Sequence, residues 1–252
     1  MTPLVKLELR GLWRTGRVAA VAAVMLLFGI AGPAFTKFLP QILEGQLPEG
    51  MRVTIPPATA ELAFLTFLQN ISQLGFVVLV LVTMGAVAAE RRSGLTAMLF
   101  VKPVSTLHYL IAKLLTMGAL VVVSVLVAGV VAWGYAVLLF GPLSFGAGLA
   151  ATGLYALWGL AIVSWTLFLS SVVRSQLLAG VGAIGLMFAF PIVEAVTGRA
   201  GDFTPFAVLA HGDALLSGRF DAALAVAADG SVALVVLGVV GAWQALRRAE
   251  FA

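Results

Sequence analysis

Cysteine is absent from the 252-residue chain, which excludes disulfides, thiolate metal sites, iron–sulfur clusters and thiol nucleophiles and leaves the compartment open. Charge is also scarce: 10% of the residues are charged and 62% hydrophobic, where a soluble domain carries about 25% charged residues. With a mean hydropathy of +1.10, a water-soluble globule of this composition could not cover its own apolar surface. Disorder is excluded by the low charge, and a collagen-like fibre by 27 glycines without a three-residue period. Lysine occurs only as Lys6, Lys37, Lys102 and Lys113, none of them after a glycine. No Gly-Lys-Ser/Thr phosphate loop is therefore present, and the chain is expected to bind no nucleotide and to be no enzyme by itself. What remains is a membrane protein.

A helical span needs about 20 apolar residues to cross a hydrocarbon core of about 30 Å. Six segments qualify: Val18–Phe35, Ile71–Ala89, Leu114–Phe140, Ala147–Val173, Leu177–Val196 and Ser231–Leu246. None shows the period-two alternation of a barrel strand, and a backbone in lipid must satisfy its own hydrogen bonds, so the expected fold class is all-α with six transmembrane helices. The whole of 1–252 reads as one transmembrane domain without a loop long enough for a soluble catalytic unit.

Six spans divide the 15 basic residues unequally. Lys6, Arg10, Arg14, Arg17, Arg91, Arg92, Lys102, Lys113, Arg174, Arg247 and Arg248 fall on one side, and Lys37, Arg52, Arg199 and Arg219 on the other. The positive-inside rule places the first side, with both termini, in the cytoplasm. The net charge of +4 thus belongs to cytoplasmic loops, and no nucleic-acid partner is expected. The first apolar run also has the layout of a secretory leader. Gly32-Pro33-Ala34 is a poor cleavage site, however, and removal would strand a basic cluster outside, so the run is read as an uncleaved span.

Before the first span, residues 3–17 plot as an amphipathic interfacial helix. Lys6, Arg10, Arg14 and Arg17 form a basic stripe, and Val5, Leu9, Leu12 and Trp13 lie on another face, suited to membrane lipid. Residues 37–70 form an outer loop with Pro40, Pro48 and Pro56-Pro57 as breakers, and Thr59 is placed to cap a helix leading into the second span. Residues 198–230 alternate breakers with short apolar runs and suggest short outer helices. His108 and His211 lie on opposite sides and cannot share a metal. Glu194, three residues after the helix-disrupting Pro191, is the one ionisable residue within a span and a possible intramembrane polar site, although outer water is its more ordinary environment. Ser124, Ser164, Thr166, Ser170 and Ser171 either bond back to their own helices or join helices. Ala179, Gly182, Ala183 and Gly185 suit close helix packing, as at a dimer seam.

Between the second and third spans the chain reads Gly85-Ala-Val-Ala-Ala-Glu90-Arg91-Arg92-Ser93-Gly94-Leu95-Thr96-Ala97-Met98-Leu99-Phe100-Val101-Lys102-Pro103-Val104-Ser105. On the residues alone, Ser93 or Thr96 caps a short helix over Leu95–Val101 that Pro103 stops, with Leu95, Met98, Leu99 and Phe100 as an apolar knob where water is expected. The ordinary alternative is a turn folded onto the bundle.

This stretch resembles the most recognisable segment of the permease subunits of type-2 ABC exporters: a small-residue run, Glu, a basic pair, Gly, a leucine-rich short helix and Pro-Val-Ser. Glu90, Arg91, Arg92, Gly94, Leu99, Pro103, Val104 and Ser105 match, and Leu95 stands where the family usually has Thr. The resemblance implies that 90–113 is a cytoplasmic coupling segment, with Glu90, Arg91, Arg92, Gly94, Leu95, Met98, Leu99, Phe100 and Pro103 docking a separate ATPase subunit. It further implies two ATPase copies that carry the ATP and magnesium, a second permease chain as homodimer or heterodimer partner, and a bacterial inner (cytoplasmic) membrane location. Against this stand two other classes, a self-contained secondary transporter or channel and a non-transporting assembly factor. Flux without ATP that is lost on Glu194→Gln would mark the former.

Overall fold

The computed structural model describes residues 2–44, 58–94, 105–197, 212–216 and 222–250. Every regular element among them is helical. The elements are α1 (Thr2–Arg14), α2 (Arg17–Glu44), α3 (Ala60–Asn70), a π-helical turn (Ile71–Gly75), α4 (Phe76–Thr83), α5 (Ala88–Arg92), α6 (Thr106–Phe140), α7 (Phe145–Val172), α8 (Gln176–Thr197), α9 (Gly212–Leu216) and α10 (Ala222–Glu250). Five stretches are long and apolar enough to cross a membrane: 17–42, 60–92, 106–140, 145–172 and 224–248; α8 adds a shorter apolar run over Gln176–Ala189. The chain is an all-α multi-pass membrane protein.

The order of the bundle follows from where side chains are small. α7 is the central helix: Trp158, Ser164, Thr166 and Ser170 on it are inaccessible, and it packs against α10, α6, α8 and α4, while α2 lies on the far side of α6. Close approach is made through missing side chains. A Cβ on Gly29 would lie 2.7 Å from the Ala128 carbonyl oxygen of α6, and one on Gly238 of α10 would lie 2.5 Å from Ser164 Oγ of α7. Without a hydrophobic driving force between helices in lipid, such contacts are the packing energy. Ser164 adds a bond across the same crossing, Oγ donating to the Val235 carbonyl at 2.7 Å. Thr166 and Ser171 instead bond back to Ile162 and Leu167 of their own helix, both at 2.8 Å.

Several sequence boundaries move. Pro33 and Pro40 do not end the first span: α2 continues through both to Glu44, and α3 starts at Ala60, so helix occupies both flanks of the expected 37–70 loop. A proline removes one ladder bond and frees one carbonyl, which a long helix embedded in neighbours tolerates. Pro191 likewise lies inside α8, which continues to Thr197. Thr59 caps α3 as expected, accepting from the Leu62 N–H at 3.2 Å. The interfacial helix ends at Arg14: Gly16 takes a left-handed conformation (φ 70°) that stops the ladder, and Thr15 turns its hydroxyl back to the Gly11 carbonyl at 2.8 Å. Arg17 therefore opens α2 and does not extend the basic stripe of Lys6, Arg10 and Arg14. In the 198–230 region, α9 and the first turns of α10 are described.

α6 and α7 form an antiparallel hairpin. α6 ends at Gly141, Ser144 caps α7 by accepting from the Ala147 N–H at 3.4 Å, and Trp133 Nε1 donates to the Leu143 carbonyl at 3.0 Å. The opposite end of this hairpin, where α1, α5, the start of α6 and the ends of α7 and α10 meet, holds most of the described basic residues. It is called the basic end below.

Candidate functional site

The basic end is organised around one buried cation. Lys113 lies eight residues into α6 with a side chain only 1% exposed, and its Nζ reaches Glu8 Oε1 at 2.8 Å and Glu90 Oε1 at 2.6 Å. Tyr109, one turn earlier on the same face, donates its hydroxyl to Glu90 Oε2 at 2.5 Å, and its ring centroid lies 4.9 Å from the ammonium. Removing a charge from water is tolerated only when it is paired and hydrogen-bonded. Here one ammonium has two carboxylates and an aromatic face. The three acidic and basic groups come from three elements: Glu8 from α1, Glu90 from α5, Lys113 from α6.

The local sequence explains this convergence. On α1, Glu8 lies one turn before Leu12, which is buried at 3%. Glu8 thus belongs to the packed face of α1, whereas Leu9 and Trp13 are exposed at 41% and 69%, as expected of side chains turned to lipid. α6 begins at Ser105, whose Oγ accepts from the His108 N–H at 3.3 Å and also meets His108 Nδ1. That cap starts the helix so that Thr106, Tyr109 and Lys113 all fall on the buried side.

α5 is separated from α4 by a break in the ladder. Residues 84–87 form turns, and the hydroxyl of Ser170 on α7 fills the gap. It accepts from the Val87 and Ala88 N–H groups at 3.1 and 2.9 Å and donates to the Met84 carbonyl at 2.8 Å. One side chain thus replaces the missing bonds of a helical turn, a recognised cause of kinks. Just beyond it, Arg91 Nη1 donates to the Ser171 carbonyl at 2.6 Å. Neighbours in sequence, Glu90 and Arg91 are tied to opposite sides, one to α6 and α1, the other to α7.

The expected site residues divide accordingly. Glu90 and Arg91 are built into the bundle, while Arg92 and Gly94 are exposed. Leu95, Met98, Leu99, Phe100 and Pro103 lie outside the described residues. Lys6, Arg10 and Arg14 are exposed and Arg17 is half-buried. Glu194 lies on α8, with its side chain outside the description. Lys113, one residue before the expected third span, is a buried ionisable group that the sequence reading did not single out, and α6 begins before it, at Thr106. Glu8, Tyr109 and Lys113 were not singled out as a group by the sequence; the available signal was the spacing of Tyr109 and Lys113 by one turn, just after a glutamate-bearing loop. Of the small residues on α8, Ala179 and Ala183 are buried at 1% within this chain, and a Cβ on Gly180 would lie 2.6 Å from Met84 Sδ. The outward face of α8 instead carries Leu177, Leu178, Val181 and Phe188. Among the described residues no cluster of His, Cys, Asp and Glu suited to a metal occurs.

Comparison with known proteins agrees with this layout. Residues 56–207, more than half of the chain, match the family described as ABC-2 family transporter protein. This stretch runs from before α3 through the ladder break, the Lys113 node and the α6–α7 hairpin to the end of α8. A relative from Bacillus subtilis (strain 168), the uncharacterized transmembrane protein YxlG, is 28% identical over 179 residues, covering 70% of this chain and 69% of that protein. On the match across its helical bundle, the chain belongs to the ABC-2 family of membrane transporter proteins.

Proposed function

We propose that this chain is the permease subunit of a bacterial ABC exporter, lodged in the cytoplasmic membrane with six spans, both termini and the basic end facing the cytoplasm. In this reading it forms half of the translocation path and pairs with a second permease chain, identical or similar. Two copies of a separate ATPase bind the nucleotide and magnesium and do the hydrolysis, and this chain contributes no catalytic residue.

The observation that carries the reading is the Lys113 node. Glu90 at the start of the 90–113 segment and Tyr109 and Lys113 at its end are held together, and one buried ammonium ties both ends to α1. A force on the segment is then delivered to the bundle and not lost in a slack loop. Membership of a family that usually works with an ATPase supports the partner, and the 11-to-4 split of basic residues supports the orientation.

The test is mild solubilisation of the tagged chain from its host, followed by mass spectrometry of what co-purifies. A stoichiometric soluble protein bearing a Gly-Lys-Ser/Thr phosphate loop is expected. Serine at Met98, Leu99 and Phe100 together should release it while membrane insertion persists. Unchanged co-purification of that variant would refute the coupling role, and recovery of the intact chain alone would refute the exporter assignment.

A further inference from the structure

Next to the node, on the other side of α5, a cavity of about 440 Å³ opens between α5, the last turns of α7 and the last turns of α10. Arg91, Arg248 and Gln244 supply its polar lining, while Phe168 and Val172 of α7 supply apolar wall. Gly241 lets the Phe168 ring lie against the bare backbone of α10, where a Cβ would come within 2.9 Å of it.

Among the described residues that line the cavity, both charged side chains are positive. The described salt bridges both belong to Lys113, and neither Arg91 nor Arg248 is paired with a carboxylate among the described residues. Glu90 is turned away to Lys113 and Tyr109. Arg91 is oriented by its one bond to the Ser171 carbonyl, leaving further N–H donors of a planar, five-donor guanidinium. Arg247 does not line the cavity and stacks on Trp243, 4.9 Å from the ring centroid. Two guanidiniums around one opening, neither bound to a carboxylate among the described residues, are the arrangement that recognises phosphate.

Depth and wall composition indicate which phosphate. α7 has 28 residues, about 42 Å at 1.5 Å per residue, which exceeds a hydrocarbon core of about 30 Å and brings its end to the headgroups. The volume lies in the range of sites for small ligands, about 300–1,000 Å³. A free phosphate would leave the apolar wall wet, whereas a molecule with an anionic head and an acyl stem would cover it. Basic pockets between spans are known to take lipid headgroups.

We propose that this cavity binds the phosphate headgroup of an anionic membrane phospholipid, with Arg91 and Arg248 on the phosphate and Phe168 and Val172 against the start of the acyl chains. The site is independent of the exporter reading, since it requires neither an ATPase nor a cargo.

Native mass spectrometry of the purified full chain, titrated with phosphatidylglycerol or phosphatidylcholine, tests it. One phosphatidylglycerol per chain should bind at least about tenfold more tightly than phosphatidylcholine, a difference of about 1.4 kcal/mol. Arg248→Gln, at an exposed position that leaves the bundle untouched, should abolish that preference, while Arg247→Gln should preserve it. Equal binding of the two lipids, or equal losses in the two variants, would overturn the site. Displacement of the lipid by inorganic phosphate at matched concentration would keep the phosphate chemistry and overturn the lipid assignment.

Discussion

Lys113→Met removes the one cation that two carboxylates share, and the structure sets the size of the effect. Glu8 and Glu90 each hold an oxygen within 2.8 Å of the same nitrogen, so in its absence they face each other across the space of a single ammonium. Two unit charges about 5 Å apart repel by about 3 kcal/mol at an effective dielectric constant of about 20. Breaking a buried pair by removing one partner costs about 3–5 kcal/mol. The side chains of Glu8 and Glu90 retain 13% and 27% exposure, so solvent screening puts the expected loss at the low end, about 3 kcal/mol. At about 2–4 °C per kcal/mol for a chain of this size, the apparent Tm should fall by about 6–12 °C. Thermal unfolding in detergent at a fixed scan rate reads this out. The triple variant Glu8→Gln, Lys113→Met, Glu90→Gln leaves no unpaired charge and should recover most of the loss. A single variant as stable as wild type, or a triple variant less stable than the single one, would refute the argument that the cation holds the three helices together.

Three further substitutions address packing within the bundle. Ser170→Ala leaves the Val87 and Ala88 N–H groups and the Met84 carbonyl without the hydroxyl they share, a cost of about 1–3 kcal/mol for a buried group left unsatisfied. Amide hydrogen exchange at Val87 and Ala88 should accelerate, and unchanged protection would show that the hydroxyl does not hold the break. Gly238→Val places a branched side chain where a Cβ alone would lie 2.5 Å from Ser164 Oγ, and overpacking of this kind costs about 1–3 kcal/mol. Gly185→Ala meets nothing within 4 Å and should leave the apparent Tm unchanged or slightly higher. Similar losses in both would refute close packing as the reason for glycine at Gly238.

The all-α membrane class and the five long apolar helices were legible in the sequence because lipid imposes a length and an apolar composition that few other environments require. Their ends were less so. Pro40 and Pro191 read as breakers because a proline frees a carbonyl that needs a partner, yet both helices continue past them. The hydroxyl cap at Thr59, which depends on local bonds alone, was read correctly, whereas the caps at Ser105 and Ser144 were not singled out. What stayed hidden was the tertiary pairing. Lys113 reads as one more loop base, and Glu8 as a lone acid among bases, until α1 is laid against α6. Ser170 reads as a helix-joining serine, which it is, but its partner is a ladder break that nothing in Met84–Val87 announces. Long-range pairs of this kind carry no periodicity, so only the fold exposes them.

The three features at the basic end constrain one another. The described residues stop at Gly94 and resume at Ser105; Glu90 lies four residues before the first point and Tyr109 four residues after the second, and these two are hydrogen-bonded to each other. The exit and the return are therefore fastened at their bases, whatever conformation the residues between them take. On the side of α7, Arg91 and Ser170 fasten the same short helix. α5 is thus clamped from two sides, while the turns at 84–87 are the irregular stretch that joins it to the long helix behind. Here α5 is fastened on one side by Glu90 to α6 and on the other by Arg91 and Ser170 to α7, so a displacement of α5 has to break bonds on both sides.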